Sequence, residues 1–138
     1  MQGVGANPYF YESLNLDEVD MQVTWSTFQN LTKENVNQDV PKNAGVYLLW
    51  VKLNNGNWRC YYVGQADDLE RRLLEHLAES EGNKCIKKYV QEHTSGYEYA
   101  KVSTQSDRSG IEKFLYDNYK PECNEKDPGG SVLTVNLP

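Results

Sequence analysis

The clearest pattern in the chain is an apolar run over residues 46–51, Val-Tyr-Leu-Leu-Trp-Val, opened by Gly45. The polar stretch Asn54-Asn55-Gly56-Asn57 follows, and then a second aromatic run over residues 58–63. β-Branched and aromatic residues on both sides of an Asn-Gly pair predict a β-hairpin. A two-residue type I′ loop at Asn55-Gly56 places Tyr47 opposite Gly64 and Leu49 opposite Tyr62. Tyr47 and Tyr62 then share one face as diagonal neighbours, and Gly64 leaves open space beside the Tyr47 ring.

After the hairpin the hydrophobic period changes from two to that of a helix. Asp67 and Asp68 suit an N-cap and first turn, and Leu69, Leu73, Leu74 and Leu77 follow at helical spacing, predicting a helix of about a dozen residues. Residues 84–92 predict a second helix, residues 97–102 alternate as a third strand, and residues 111–119 predict a helix that must end near Pro121. Upstream, residues 21–25 suggest a short strand and residues 32–40 a short helix stopped by Pro41. Residues 1–20 read as an accessory arm able to dock through Tyr9, Phe10 and Tyr11. The order strand, strand, helix, helix, strand, helix belongs to the α+β class, a small antiparallel sheet flanked by helices.

Two helices carry charges at informative positions. With Leu69 as origin and about 100° per residue, the apolar stripe runs through Leu73 and Leu77 to Leu74, with Arg72 and His76 along one edge and Arg71 facing solvent. Glu70 falls inside the stripe, a misfit explained only by its first-turn position. In the last helix Ile111, Leu115, Tyr116 and Tyr119 define the apolar side, and Glu112 lies within it, whereas Lys113 and Asp117 project the other way as solvated charges. A carboxylate on an apolar face is costly unless it is paired or bound to a cation.

Composition adds limits. The chain has 138 residues, 38% of them hydrophobic and 25% charged, which suits one globular domain. No run approaches the ~20 apolar residues of a membrane span, and residues 1–7 lack the features of a signal peptide, so a cytoplasmic location is expected. Cys60, Cys85 and Cys123 are odd in number and lack Cys-x-x-Cys spacing, so all three are expected as reduced thiols. The net charge of -6 argues at first against a binder of nucleic-acid backbone. Residues 1–40, however, hold six acids and one base, a balance of -5, and the remaining 14 acids and 13 bases leave -1. The acidity belongs to the N-terminal extension. Lys84, Lys87 and Lys88 read as a solvated face.

Gly45-Val46-Tyr47, Tyr62-Val63-Gly64 across a short hairpin, Arg72 and His76 on one helix, Glu112 in Ile-Glu-Lys-Phe-Leu, and Asn124 in Lys-Pro-Glu-Cys-Asn together resemble the GIY-YIG nuclease domain. Val46 and Val63 stand where isoleucine is common in the two triplets; both are β-branched, so the strands are unaffected. The resemblance covers residues 41–127. It implies a three-stranded antiparallel sheet flanked by helices, preceded by an acidic, partly ordered extension over residues 1–40 and followed by a tail over residues 128–138. The family includes homing endonucleases, the incision subunit of bacterial nucleotide-excision repair and structure-specific resolvases.

The resemblance implies a DNA endonuclease that hydrolyses phosphodiester bonds with one divalent cation, Mg²⁺ or Mn²⁺, held by Glu112. Arg72 is the candidate clamp for a phosphate oxygen. Tyr47 is the candidate for activating water with help from Tyr62 and His76, and His76 acting as base through Tyr47 stands equally open. Asn124 would position the active-site groups. Singly, each of these residues also fits a structural role; Glu112 stands out because its position conflicts with its charge. The alternative reading is a non-catalytic module that keeps the scaffold and binds nucleic acid or protein. A near-neutral domain without a basic footprint also points to a protein partner or second subunit that supplies specificity.

Overall fold

The computed structural model describes residues 18–138. The elements run β1 (Gln29–Asn30), α1 (Lys33–Asp39), β2 (Gly45–Lys52), β3 (Trp58–Ala66), α2 (Leu69–Leu77), α3 (Lys84–Glu92), β4 (Ser95–Lys101) and α4 (Gln105–Tyr119). The class is α+β, and the sheet is antiparallel with order β1-β4-β2-β3, so β3 is an edge strand. The sheet has a fourth strand where three were expected: β1, two residues paired with β4. A polar pair shows no alternation, so nothing local announced it. Residues 21–25 form no strand; Met21 bridges Val135 and Trp25 bridges Ala100. Tyr9, Phe10 and Tyr11 lie outside the described residues.

The hairpin reaches its expected register by an unexpected route. Its loop has three residues, not two: Gly56 N–H donates to Leu53 C=O, Leu53 N–H donates to Asn57 C=O, Gly56 sits at φ 89, and Lys52 pairs with Trp58. Glycine is favoured at that positive φ. The longer loop shifts the pairing by one residue. A bulge at Tyr61, between the pairs Leu49–Tyr62 and Trp50–Cys60, shifts it back, so Tyr47 faces Gly64. The bulge also turns Tyr61 and Tyr62 toward one face, while Cys60 and Val63 pack on the other.

Two apolar clusters sandwich the sheet. Tyr47, Leu49, Leu69, Leu73 and Ile86 pack on the side of α1, α2 and α3, and Val46, Leu48, Val63, Ile111 and Phe114 pack on the side of α4. Each fully buried Leu, Ile or Phe contributes roughly 1.5–3 kcal/mol. The segments flanking the hairpin domain share this core: Leu31, Val36 and Val40 join the first cluster and Val135 the second.

Helix boundaries follow local chemistry. Thr32, Asp68 and Asn83 cap α1, α2 and α3 by accepting from the N–H groups of Asn35, Arg71 and Ile86. Helix α2 has nine residues rather than a dozen. Glu70, the misfit in its stripe, pairs with Lys42 at 2.9 Å. Helix α4 starts at Gln105, six residues before its periodicity begins, because Ser106, Asp107, Ser109 and Gly110 carry no apolar pattern. Gly110 there packs against Leu133 and Ser131, where a Cβ would be crowded. Lys113, expected as a solvated charge, is only one-fifth exposed and pairs with Asp117 and Asp127.

The expectation for the cysteines is corrected. Cys85 and Cys123 form a disulfide, their Cα atoms 5.3 Å apart, and only Cys60 is a free, buried thiol. Spacing along the chain gave no hint, because the segment after α4 turns back past β3, where Cys123 N–H donates to Tyr61 C=O.

Candidate active site

The residues singled out from the sequence gather around the edge strand β3, some on each side of the sheet. The two glycines of the triplets make this possible. A Cβ on Gly64 would collide with the ring and hydroxyl of Tyr47, and one on Gly45 would collide with the Ala100 carbonyl oxygen and Leu69. The space beside Tyr47 is therefore filled by its own ring, pressed against the backbone of β3.

On the α2 side, Tyr47, Tyr62 and His76 form a ring cluster with centroids 5.4–6.1 Å apart. Tyr47 is fully buried and His76 is 1% exposed. The Tyr47 hydroxyl lies 2.7 Å from His76 Nε2, and His76 Nδ1 bonds Glu81 Oε2. Burial would raise the Glu81 carboxyl, but the Asn83 N–H and His76 hold it below its usual value. Burial, partly offset by Glu81, lowers His76 below its ordinary value and so favours the neutral imidazole. A carboxylate only accepts, so the single ring proton sits on Nδ1 and Nε2 accepts from the Tyr47 O–H. Burial, reinforced by Tyr62 and only partly opposed by Arg72, pushes the Tyr47 phenol well above its ordinary value.

Glu81 is a functional candidate that sequence reasoning missed. It lies in the non-periodic loop between α2 and α3, and a carboxylate five residues after His76 was its only trace. Asn83 was missed too: its amide donates to Cys123 C=O while its Oδ1 caps α3.

At the open edge of β3, Tyr62, Glu112 and Asn124 line one cleft of about 280 Å³ together with Asn83 and Lys126. A larger cleft of about 400 Å³ beside residues 21–26 contains none of the candidate residues. Burial raises Tyr62 above its ordinary value, and the Arg72 charge pulls the other way. Arg72 is partly exposed, with Nη1 3.2 Å from Glu75 Oε1. Asn124 grips the β3 edge at both polar atoms of one peptide, accepting from Val63 N–H at 3.0 Å and donating to Val63 C=O at 2.8 Å.

Glu112 is half-buried on α4, and burial raises its carboxyl above the usual value, opposed by a hydrogen bond from Gln65. No Lys, Arg or His forms an ion pair with it among the described residues. A hard carboxylate held only by neutral donors at a cleft fits a hard divalent cation that keeps water or phosphate at its other positions. Among the described residues no group of three or more His, Cys, Asp or Glu could hold an ion, so a site at Glu112 is of that sparse kind.

The architecture and its glycine-tyrosine hairpin define a GIY-YIG nuclease fold. A family model described as "Uncharacterised protein" matches residues 11–137, and the chain belongs to that family. Over 91 residues, 66% of this chain, the sequence is 32% identical to UvrABC system protein C of Aquifex aeolicus (strain VF5); the match spans 15% of that protein. The GIY-YIG N-terminal endonuclease domain of UvrC from Thermotoga maritima, a point mutant bound to its catalytic divalent cation, aligns with TM-score 0.48 and 23% identity. That alignment covers 69% of this chain and 100% of that domain.

Proposed function

We propose that the chain is a divalent-cation-dependent endonuclease that hydrolyses DNA phosphodiester bonds at the cleft beside β3. The observation that carries this reading is the convergence of Tyr62, Glu112 and Asn124 on one cleft from three separate parts of the chain. The 32% identity with a stretch of UvrABC system protein C supports a nuclease-like role.

Glu112 would hold Mg²⁺ or Mn²⁺, and such a cation, when bound, supplies positive charge to a phosphate and its leaving oxygen. Tyr62 is the group that takes the proton of the attacking water, because its phenol lines the cleft while Tyr47 and His76 are sealed behind it. Arg72 favours the Tyr62 phenolate and offers its guanidinium to a phosphate oxygen. Tyr47, His76 and Glu81 form a bonded chain that fixes the rings against which Tyr62 packs. Asn124 holds the edge of β3 next to Tyr62. The near-neutral charge of residues 41–138 supports weak intrinsic DNA affinity, with a protein partner or second subunit supplying specificity. Among the described residues no helix is long and apolar enough to cross a membrane; we place the chain in the cytoplasm, where it would meet DNA.

The test incubates purified protein with Mg²⁺ or Mn²⁺ and plasmid, branched or single-stranded DNA, beside Glu112→Ala. Cleavage by the natural chain is expected, with a loss of at least ~10³-fold in the variant. Absence of cleavage on every substrate, or equal cleavage by both proteins, overturns the reading. DNA binding without cleavage, unchanged by Glu112→Ala, assigns the chain to non-catalytic binding instead.

A further inference from the structure

Helix α4 presents Gln105, Ser109 and Glu112 at i, i+4 and i+7, a single stripe of its surface. Gln65, directly after the Tyr62-Val63-Gly64 triplet and paired with Val46, lies across that stripe from β3. Its Oε1 accepts from Gln105 Nε2 at 2.9 Å; its Nε2 donates to Glu112 Oε1 at 2.9 Å and to Ser109 Oγ at 3.3 Å. The acceptor-only carboxylate of Glu112 sets the sense of the Gln65 amide, and Arg108 Nη2, donating to Gln105 Oε1 at 3.3 Å, turns the Gln105 NH₂ group toward Gln65 Oε1.

We propose that Gln65, locked by Gln105, is a positioning residue for the cation site, holding Glu112 Oε1 so that the carboxylate is presented in one orientation with its charge unspent. The inference rests on the reading of Glu112 as the cation ligand. An amide suits the task for an electrostatic reason. A lysine or arginine at position 65 would neutralise Glu112 and repel a divalent ion, whereas an aliphatic side chain would leave a half-buried carboxylate oxygen without a donor. A neutral donor meets the second need without causing the first problem. Removing a group that orients a metal ligand in this way typically costs about 10- to 100-fold in metal affinity.

The test is direct Mn²⁺ binding, by calorimetry and by the electron paramagnetic resonance signal of free Mn²⁺, on the natural chain and on Gln65→Met, Gln65→Lys, Gln105→Met and Glu112→Ala. Circular dichroism melts without metal check folding. Gln65→Met is expected to weaken Mn²⁺ binding on the order of tenfold. Gln65→Lys should weaken it further, and Gln105→Met, which frees the amide to turn, should weaken it about two- to threefold. In cleavage assays the Mn²⁺ concentration for half-maximal rate should rise by the same factors, with kcat falling less. Unchanged Mn²⁺ affinity in Gln65→Met and Gln105→Met, while Glu112→Ala loses binding, overturns the role of Gln65 alone. If Gln65→Met fails to fold, Gln105→Met decides by itself. Mn²⁺ bound equally well after Glu112→Ala removes the cation reading, and the proposal with it.

Discussion

Tyr47 and Tyr62 stand on the same face of the same hairpin, their ring centroids 6.1 Å apart, in opposite surroundings. Tyr47 is sealed in the core, its hydroxyl committed to a neutral histidine that is committed in turn to Glu81. Tyr62 lines a cleft with Glu112 and Asn124, and the partly exposed Arg72 bears on both phenols. Buried polar groups must satisfy one another, so the Tyr47 chain is closed and adds rigidity. In the cleft both polar atoms of Asn124 are committed to Val63, but Glu112, held at one oxygen by a neutral donor, keeps capacity that a bound group can use. On the proposed reading, two tyrosines that look interchangeable in the motif divide into a structural and a chemical one.

The sharpest way to break this division is to remove one hydroxyl at a time. Tyr62→Phe is expected to lower kcat on the order of 10²- to 10⁴-fold, the usual range for general-base catalysis, with little change in thermal stability. Tyr47→Phe leaves the buried His76 Nε2 without its donor, which costs about 1–3 kcal/mol of stability, and its effect on kcat should be smaller than that of Tyr62→Phe. Steady-state cleavage and thermal melts on both variants provide the readout. The opposite pattern, with activity lost at position 47 and stability lost at position 62, would reverse the assignment.

The two regions are tied at their base by the disulfide. Cys85 follows the loop that carries Glu81 and Asn83, and Cys123 precedes Asn124. Closing a separation of 38 residues restricts the unfolded chain by up to about 4 kcal/mol. Reduction, or Cys85→Ser with Cys123→Ser, should lower the melting temperature by an amount corresponding to most of that figure. Alkylation of the unreduced, denatured protein followed by mass spectrometry should label one thiol of the three. Three labelled thiols would show that the buried chain and the cleft are joined by packing and hydrogen bonds alone, in keeping with a reducing compartment.

The hairpin and helix faces were legible in the sequence because they rest on local period and turn chemistry. Tyr47 opposite Gly64 was read correctly, although through a two-residue loop that does not exist; a three-residue loop and a bulge at Tyr61 offset each other. Arg72 and His76 fell on the edge of the α2 stripe by the same periodicity. The anomaly of Glu112 was legible because a charge within an apolar arc needs a partner, but Gln65 as that partner was not, since the contact joins β3 to α4 across 47 residues. Glu81 and the Cys85–Cys123 pair stayed hidden for the same reason. Loop residues have no period, and their partners are set by how helices and strands pack, which no local window of sequence contains.

The pH dependence of cleavage separates the two regions by sign. A base works in its deprotonated form, so the rate follows the fraction of that form. Burial raises Tyr62 above the ordinary phenol value near 10, with Arg72 only partly opposing it. With Tyr62 as base, kcat/KM at saturating metal should climb about tenfold per pH unit from pH 7 to at least pH 9, without a plateau, for as long as the protein stays folded. His76 is displaced the other way, below its ordinary value near 6.5, by its burial. Were His76 the base, its deprotonated form would already dominate at pH 7 and the profile would level off above it, with its rising limb on the acid side. A profile that is level between pH 7 and 9 therefore moves the chemistry into the buried chain and leaves Tyr62 as packing, whereas a continuous rise keeps the proton transfer at the cleft.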